Sequence, residues 1–280
     1  MKLLRRGWPP GVFGTRPIGV FMNPYLNTPF NLTGRSALVT GGSRGLGYEM
    51  ARIFAQAGAE VAICSRSKPE IEAAAAKLAK ETGSRVEPLV ADVGQRPQAE
   101  QLARDALGRL GKIDIFVGNA GWNIPQPIDK IKDADWDSLL ELNVTSLMVL
   151  SRALSPGMMQ RGWGRMIYIS SIMALASTPD RVAYSTTKAA LHGMVKANAL
   201  HLGPHGVTVN CIAPGPFATD MPMSILSKEQ QDKLAGRTCV GRWGQPAELA
   251  PGALLLASNA GAYITGSVLL VDGGAMAKMW

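Results

Sequence analysis

The sequence predicts a single α/β domain, in which a doubly wound parallel sheet of seven strands carries helices on both faces. From Ser36 onward, short apolar runs alternate with stretches of helical pattern. This β-α-β order implies a parallel sheet, and right-handed crossovers place helices on both of its faces. A chain of 280 residues, 46% of them hydrophobic, can bury one large core. We find no internal repeat and no second domain.

Each element follows from a local signal. The run Ser36-Ala-Leu-Val-Thr40 is typical of a strand, and the first helix stops at Gly58. The second helix is Ala-rich, with Ser67 as its predicted cap and Gly83 just beyond its end. The predicted strands are 36–40, 60–65, 86–90, 113–117, 165–169, 207–212 and 267–271. The predicted helices are 46–57, 69–80, 95–107, 136–159, 182–202 and 247–258. The stretch 214–244 interrupts the pattern, and we expect one short helix there and a role as a lid.

Residues 1–30 are predicted to be a flexible arm, with the domain spanning 31–280. The arm is rich in Pro and Gly and has no periodic apolar pattern, and it lacks the apolar core that a secretion signal or a twin-arginine signal needs. Met22 is a candidate start, because everything recognisable follows it.

Composition excludes several classes of protein. The formal net charge is +8, but half of it comes from Lys2, Arg5, Arg6 and Arg16, and the rest forms no run. Such a spread suits an anionic small molecule at least as well as nucleic acid, which we do not expect as a partner. No apolar run reaches the ~18 residues of a membrane span. The three cysteines form no C-x-x-C, so we expect neither disulfides nor zinc, and a cytoplasmic location.

A glycine-rich turn joins the first strand to the first helix. It reads Thr40-Gly41-Gly42-Ser43-Arg44-Gly45-Leu46-Gly47. Glycines permit a tight turn and let backbone N–H groups approach a pyrophosphate, beside the positive end of the helix dipole. The strand before the turn and the helix after it are the context that a dinucleotide site requires.

The G-x-x-x-G-x-G spacing of this turn, joined to three later motifs, resembles the short-chain dehydrogenase/reductase family. Those motifs are Asn119-Ala120-Gly121, Tyr184-x-x-x-Lys188 and Pro214-Gly215. The resemblance covers about Leu32 to Gly274. It implies a Rossmann fold and hydride transfer between a nicotinamide cofactor and a carbonyl or alcohol.

The end of the second strand predicts NADP(H) rather than NAD(H). An acidic residue there would select NAD, whereas this chain has Cys64-Ser65-Arg66. Arg44 can reach the same 2′-phosphate, and the planar fork of arginine suits a phosphate. The alternative is that Arg44 and Arg66 are solvent-facing charges.

The resemblance implies further cofactor contacts. Asp92 would hydrogen-bond the adenine amine, with a helix cap as its alternative role, and Thr219 would contact the nicotinamide carboxamide. Gly118 stands where the family usually has Asn. The predicted cofactor set is Gly41, Ser43, Arg44, Gly45, Leu46, Gly47, Ser65, Arg66, Asp92, Val93, Asn119, Ala120, Gly121, Tyr184, Lys188, Pro214, Gly215, Phe217 and Thr219.

Tyr184 and Lys188 are four residues apart on a predicted helix, so their side chains share a face. A phenol has a pKa of about 10, and a nearby ammonium should lower it. Tyr184 could then exchange a proton with the substrate oxygen. Lys188 would also hold the nicotinamide ribose.

Two more residues complete the predicted catalytic set. Ser171 lies at the carboxyl end of the fifth strand, where its hydroxyl would stabilise charge on the substrate oxygen. Ser170 is adjacent, and the family's serine-to-tyrosine spacing selects Ser171. Asn143 matches the family's helix asparagine, which would hold a water that relays protons to Lys188. The histidines form no metal-ligand pattern, and the chemistry needs no metal.

Candidates for the substrate wall are Trp122, Met173, Phe217 and Met221, although some of them could instead pack the lid hinge. The chain resembles both 3-oxoacyl-[acyl carrier protein] reductases and gluconate 5-dehydrogenases, and the Met-rich wall favours acyl or other apolar ketones. Two other classes are a non-catalytic NADP-binding regulator and a nucleic-acid binder acting through the arm. We expect a homotetramer or homodimer, paired through helices 136–159 and 182–202.

Overall fold

The structure, a computed structural model, describes residues 28–219, 223–224 and 226–278. The predicted arm therefore lies almost entirely outside the described residues, as do Met22 and Met221.

Seven strands and eight α-helices alternate along the described chain. The strands are β1 (Ser36–Thr40), β2 (Glu60–Ser65), β3 (Val86–Val90), β4 (Ile115–Gly118), β5 (Gly164–Ile169), β6 (Val207–Pro214) and β7 (Val268–Val271). The helices are α1 (Gly45–Gln56), α2 (Lys68–Thr82), α3 (Arg96–Leu110), α4 (Asp133–Leu140), α5 (Ser146–Gln160), α6 (Val182–Leu202), α7 (Lys228–Gly236) and α8 (Pro246–Ala257).

The strands form one parallel sheet in the order β3-β2-β1-β4-β5-β6-β7. The strand order reverses between β1 and β4, so the connections leaving these two strands diverge at their carboxyl ends. A crevice opens at such a point and is where ligands bind in open α/β sheets. The predicted fold class is confirmed.

Successive residues of the central strands supply two separate cores. Leu38 packs into the layer that contains Leu102 and Leu191, from α3 and α6. Val39 points the other way, into the layer that contains Phe54 and Leu249, from α1 and α8. This alternation explains why the central strands are apolar at every position, since both faces are covered.

The helix predicted for 136–159 differs from the observed one in two respects. It begins earlier, at Asp133, because Asp133 and Asp135 in the first turn suit the positive end of the helix dipole. A π-helical turn, Glu141–Thr145, then separates α4 from α5. Periodicity cannot reveal such an insertion, and π-turns are frequent at functional sites.

At the start of α2, Ser67 occupies the predicted cap position, but its side chain makes no capping hydrogen bond.

The stretch 214–244 contains the expected short helix, α7. It is capped by Ser227 and Gln230, which exchange side-chain and backbone hydrogen bonds.

Candidate active site

The glycine turn between β1 and α1 is packed so tightly that it tolerates no side chain at Gly47. A Cβ there would overlap the carbonyl oxygen of Gly41, which itself has a left-handed backbone with φ of 66°. The turn therefore depends on glycine for close approach at one position and for its backbone conformation at the other.

Asn119 ties this turn to the end of β4. Its Nδ2 donates to the carbonyl oxygens of Thr40 at 2.9 Å and Gly41 at 3.1 Å. The Thr40 hydroxyl accepts from the backbone N–H groups of Asn119 and Ala120, at 3.0 and 3.1 Å. The side chain of Asn119 thus supports the turn, while the small residues after it border the open space.

A cleft of about 1120 Å³ lies over the carboxyl ends of β1, β2 and β4. It is large enough for a dinucleotide, since ligand pockets commonly measure about 300–1,000 Å³. The predicted residues that line it are Gly41, Ser43, Arg44, Gly45, Leu46, Gly47, Ser65, Arg66, Asp92, Val93, Asn119, Ala120, Gly121, Trp122 and Thr219. The predicted cofactor residues that do not line it are Tyr184, Lys188, Pro214, Gly215 and Phe217.

Two cationic side chains without an ion-pair partner line the cleft close to the glycine turn and the end of β2. Arg44 and Arg66 are exposed, line the cleft, and make no ion pair with any described residue. Arg96 lines the same cleft but is engaged by Glu141, with Nε 2.9 Å from a carboxylate oxygen. Glu70 adds an acid to the wall.

Asp92 forms a local turn rather than a helix cap. Its Oδ1 accepts from the backbone N–H of Gly94 at 3.1 Å, and α3 begins only at Arg96, with Gln95 in the cap position. The alternative role as a cap is therefore wrong, and the carboxylate borders the cleft.

Tyr184, Lys188 and Ser171 come together beside the cleft, from α6 and from the end of β5. Lys188 is buried and its Nζ donates to the Ile169 carbonyl oxygen at 2.8 Å. The same Nζ lies 5.7 Å from the centre of the Tyr184 ring. A Cβ on Gly121, in the cleft wall, would lie 3.2 Å from Lys188 Nζ, so the ammonium stands directly behind that glycine.

Burial dominates the electrostatics of this group. Desolvation raises the pKa of Tyr184, while a hydrogen bond from Ser171 and the charge of Arg181 act to lower it. Desolvation also lowers the pKa of Lys188, to about 8. The prediction that Lys188 makes the phenol acidic is therefore wrong. Burial destabilises the charged form of each group, so the lysine loses its proton more easily and the phenol stays neutral.

The side chain of Asn143 clamps the backbone of Trp122 rather than standing free for a water. Its Oδ1 accepts from the Trp122 N–H at 3.0 Å, and its Nδ2 donates to the Trp122 carbonyl at 2.9 Å and to Thr187 Oγ1 at 3.0 Å. Both amide donors are occupied, so only a lone pair of Oδ1 remains. That oxygen and Lys188 Nζ both adjoin Gly121.

The two adjacent serines have different partners. Ser170 donates from Oγ to the Lys188 carbonyl oxygen at 3.0 Å and lies 2.9 Å from His192 Nε2, so it joins β5 to α6. Ser171 instead accepts from the Met173 N–H and contributes to the environment of Tyr184. The geometry favours Ser171 as the serine beside the phenol.

The predicted substrate wall is only partly brought together. Trp122 is 45% exposed beside the cleft, and Met173 is half-buried next to Ser171. Phe217 is buried, and its ring fills the space where Gly244 has no side chain. This packing supports the alternative role at the lid hinge, and the contacts of Phe217 with cofactor and substrate stay predictions. Pro214 is the buried last residue of β6, and the half-buried Gly215 follows it on the way to Thr219.

Two buried polar atoms were missed by reasoning from the sequence, and one of them belongs to Arg181, whose charge acts on Tyr184. Among the described residues, Asn123 Oδ1 and Arg181 Nη1 are buried side-chain atoms without a hydrogen-bond partner. The third such atom, Thr208 Oγ1, belongs to β6. The available signal was the position of Arg181, three residues before Tyr184.

The described residues hold no group of three or more His, Cys, Asp or Glu side chains arranged to bind a metal. In that same part of the chain, no helix has the length and apolar character needed to cross a bilayer.

Comparison with known proteins supplies an independent line of evidence. The profile of the family described as enoyl-(acyl carrier protein) reductase matches residues 41–276. The chain is 35% identical to gluconate 5-dehydrogenase of Gluconobacter oxydans over 246 residues, which are 88% of this chain and 96% of that protein. It is 36% identical to 3-oxoacyl-[acyl-carrier-protein] reductase of Chlamydia muridarum over 243 residues, 87% and 98% of the two chains.

A solved structure also resembles this chain in both sequence and fold. The gluconate 5-dehydrogenase of Burkholderia cenocepacia, in complex with NADP and tartrate, superposes with a TM-score of 0.86 at 33% identity. The match covers 91% of this chain and all of the other.

Proposed function

The chain belongs to the short-chain dehydrogenase/reductase family of oxidoreductases, and from that premise we propose that it is an NADP(H)-dependent enzyme that reduces a ketone to a secondary alcohol. One observation carries the proposal. Lys188 Nζ and Asn143 Oδ1 both adjoin Gly121 in the wall of a dinucleotide-sized cleft, with Tyr184 and Ser171 beside them.

The cleft fits NADP(H) on two grounds. The glycine turn leaves no room for a Cβ at Gly47, so backbone N–H groups can approach a pyrophosphate closely. Arg44 and Arg66 are unpaired cations in the cleft wall, as a 2′-phosphate would require. The related enzyme from Burkholderia cenocepacia is in complex with NADP. Asp92 and Val93 would border the adenine, and Thr219 the nicotinamide.

The raised pKa of Tyr184 suits the direction of reduction. A neutral phenol holds the proton that a developing alkoxide needs, and Tyr184 would donate it to the substrate oxygen. Ser171 would hydrogen-bond the same oxygen and stabilise its charge in the transition state. Lys188 would hold the ribose and return a proton to the phenol, through a water that would donate to the remaining lone pair of Asn143 Oδ1. When bound, NADPH supplies the hydride.

Initial rates of NADPH and NADH oxidation test the proposal. The ketones are acetoacetyl thioesters, 5-keto-gluconate and simple diketones. We expect turnover with NADPH, and a loss of roughly 10²- to 10⁴-fold in Tyr184→Phe, the range for removal of a general acid. That variant should still bind NADPH, as followed by fluorescence. A chain that binds NADPH but reduces none of these ketones would instead be a non-catalytic regulator.

Two substrate classes remain within this proposal. The exposed ring of Trp122 and the thioether of Met173 favour a 3-oxoacyl thioester or another apolar ketone. The unpaired Arg181 favours a sugar acid of the gluconate 5-dehydrogenase type.

We further propose that copies of the chain assemble, as a homotetramer or homodimer. The exposed apolar side chains include Met148 on α5 and Val182 and Leu200 on α6, the two helices expected to pair. Sedimentation at several concentrations should give a mass two or four times that of the chain, and a monomer at every concentration would contradict the assignment.

A further inference from the structure

Arg181 carries a positive charge that the described protein leaves without a partner. Its Nη1 is buried, donates no hydrogen bond, and the side chain forms no ion pair within the described ranges. Arg181 as a whole is half-buried, but a buried guanidinium nitrogen without a hydrogen-bond partner is unfavourable, so such atoms are ordinarily paired or bind a ligand. Arg181 is also close enough to Tyr184 to influence it electrostatically.

The acids around Arg181 do not neutralise it. Asp180 precedes it but forms no ion pair with it, and the Asp180 carbonyl oxygen instead accepts from the Gln126 N–H at 3.0 Å. Asp135 is engaged by the side-chain amide of Gln126 at 2.7 Å. The guanidinium therefore has no ion-pair partner among the described acids, and an outside anion can supply one.

The residue before Arg181 has an uncommon left-handed backbone conformation. Asp180 is the single non-glycine residue with positive φ, 66°, in the part of the chain that the structure describes. The Arg181 carbonyl also accepts from the Ser185 N–H at 2.8 Å, in the first turn of α6. Residues held in such conformations cluster at functional sites.

Asn123 joins the same locality from the other side. Gln126 pairs with Arg181 as an isolated parallel bridge, which brings the segment after Gly121 alongside the start of α6. Asn123 Oδ1, three residues before Gln126, is buried and accepts no hydrogen bond. An orphaned acceptor requires an O–H or N–H donor, whereas the orphaned donors of Arg181 require an anionic oxygen.

We propose that Arg181 and Asn123 recognise a carboxylate and a hydroxyl of the substrate, so that the enzyme acts on hydroxylated keto acids. This inference rests on the proposed function, because it assigns the substrate of the same site. The planar guanidinium matches a carboxylate, and the two free arginines that suit a phosphate, Arg44 and Arg66, lie at the adenosine end of the cleft.

Calorimetry of the NADP⁺-loaded protein with D-gluconate and D-glucitol tests the site without turnover, because the two ligands differ only in a carboxylate. We expect gluconate to bind more tightly. Arg181→Gln should weaken gluconate roughly 10- to 100-fold, the range for removal of a charge-assisted hydrogen bond, and leave glucitol unchanged. Arg181→Lys, which keeps the charge, should recover part of the loss. Asn123→Leu should weaken both ligands, since both carry hydroxyls.

Arg104→Gln is the matched control. Arg104 is an exposed arginine on α3 that bonds only to Gln101, so its replacement changes net charge equally but should not affect gluconate.

The same variants are then assayed for NADPH oxidation with 5-keto-D-gluconate and L-sorbose, which again differ only in the carboxylate. Arg181→Gln should raise KM for the keto acid and leave L-sorbose unaffected. Equal loss on both ketones would mean a structural role and would overturn the inference. Turnover of an acetoacetyl thioester, with gluconate binding no better than glucitol, would also overturn it and leave the reductase intact. If gluconate binding depends on Arg181 but no ketone is reduced, the proposed reductase function is wrong and the assignment of the carboxylate site stands.

Discussion

Replacing Arg44 and Arg66 by alanine should convert a preference for NADPH into near indifference between NADPH and NADH. Both guanidiniums are exposed, line the cleft, and form no ion pair in the described chain, so their removal breaks no internal contact. A bound phosphate could therefore interact with both guanidiniums without first breaking an ion pair within the protein. Only NADPH carries the 2′-phosphate that they would contact.

The size of the effect follows from exposure. A charge-assisted hydrogen bond contributes about 1.5–3 kcal/mol, and solvent screening at an exposed site reduces this to roughly 1–2 kcal/mol per arginine. Each single variant should raise the KM for NADPH about 5- to 30-fold, and the double variant roughly 30- to 800-fold. The KM for NADH should stay within about twofold, the scatter of neutral surface changes. Glu70→Gln should act in the opposite direction, because it removes an acid from the same wall.

The assay is steady-state oxidation of each cofactor at a saturating ketone, repeated at two salt concentrations. Arg96→Ala is the control, since Arg96 lines the same cleft but is already held by Glu141. It should leave the ratio of the two KM values unchanged. If the double variant loses NADH and NADPH alike, the arginines shape the turn rather than bind phosphate, and the reasoning fails.

Three further predictions concern glycines and the buried lysine. Gly47→Ala should abolish binding of both cofactors in a fluorescence titration while unfolding stays cooperative, because its Cβ would meet the Gly41 carbonyl; retained binding would contradict the role of the turn. Gly118→Ala places a Cβ 2.7 Å from Leu147 Cγ and should lower the free energy of unfolding in urea by about 1–3 kcal/mol. A Leu147→Ala background should reduce that cost, and strict additivity would refute the packing argument. Burial lowers the pKa of Lys188 to about 8, so its positive charge is present below that pH and is lost as pH rises through it. The kcat/KM for reduction should fall on the alkaline side of about pH 8, and a flat profile to roughly pH 10 would contradict the role of the cation.

The order of elements could be predicted because its signals are local. Gly83 ends α2 with a left-handed backbone, φ of 71°, and the chemistry of glycine alone anticipates that. The π-turn before α5 could not be anticipated, because an inserted residue leaves no mark on the apolar pattern. The prediction that the side chain of Ser67 caps α2 was wrong, because a serine at that position can form a capping hydrogen bond but need not.

The proximity of Tyr184 and Lys188 could be predicted, whereas the effect of burial on their pKa values could not. The spacing of Tyr184 and Lys188 predicted a shared helix face, and both side chains do lie on α6 near each other. The sequence predicted that Lys188 lowers the pKa of Tyr184, whereas burial raises it. The spacing of two residues does not show how deeply their side chains are buried, so it cannot predict the effect of desolvation. The packing of Phe217 could not be predicted either, because only the fold shows that its ring fills the space over Gly244.

By itself the sequence determined the order of strands and helices and the glycine turn, since these depend on neighbours within one or two turns of chain, and the family resemblance of its motifs implied most of the residues that line the cleft. Tertiary structure decided which partners the polar side chains take. Asn119 bonds to residues 78 and 79 positions away, and Asn143 to one 44 positions away. Whether Arg181 finds a hydrogen-bond or ion-pair partner also depends on residues distant in the sequence. Hydrogen bonds and burial depend on distance in space, which local patterns do not encode.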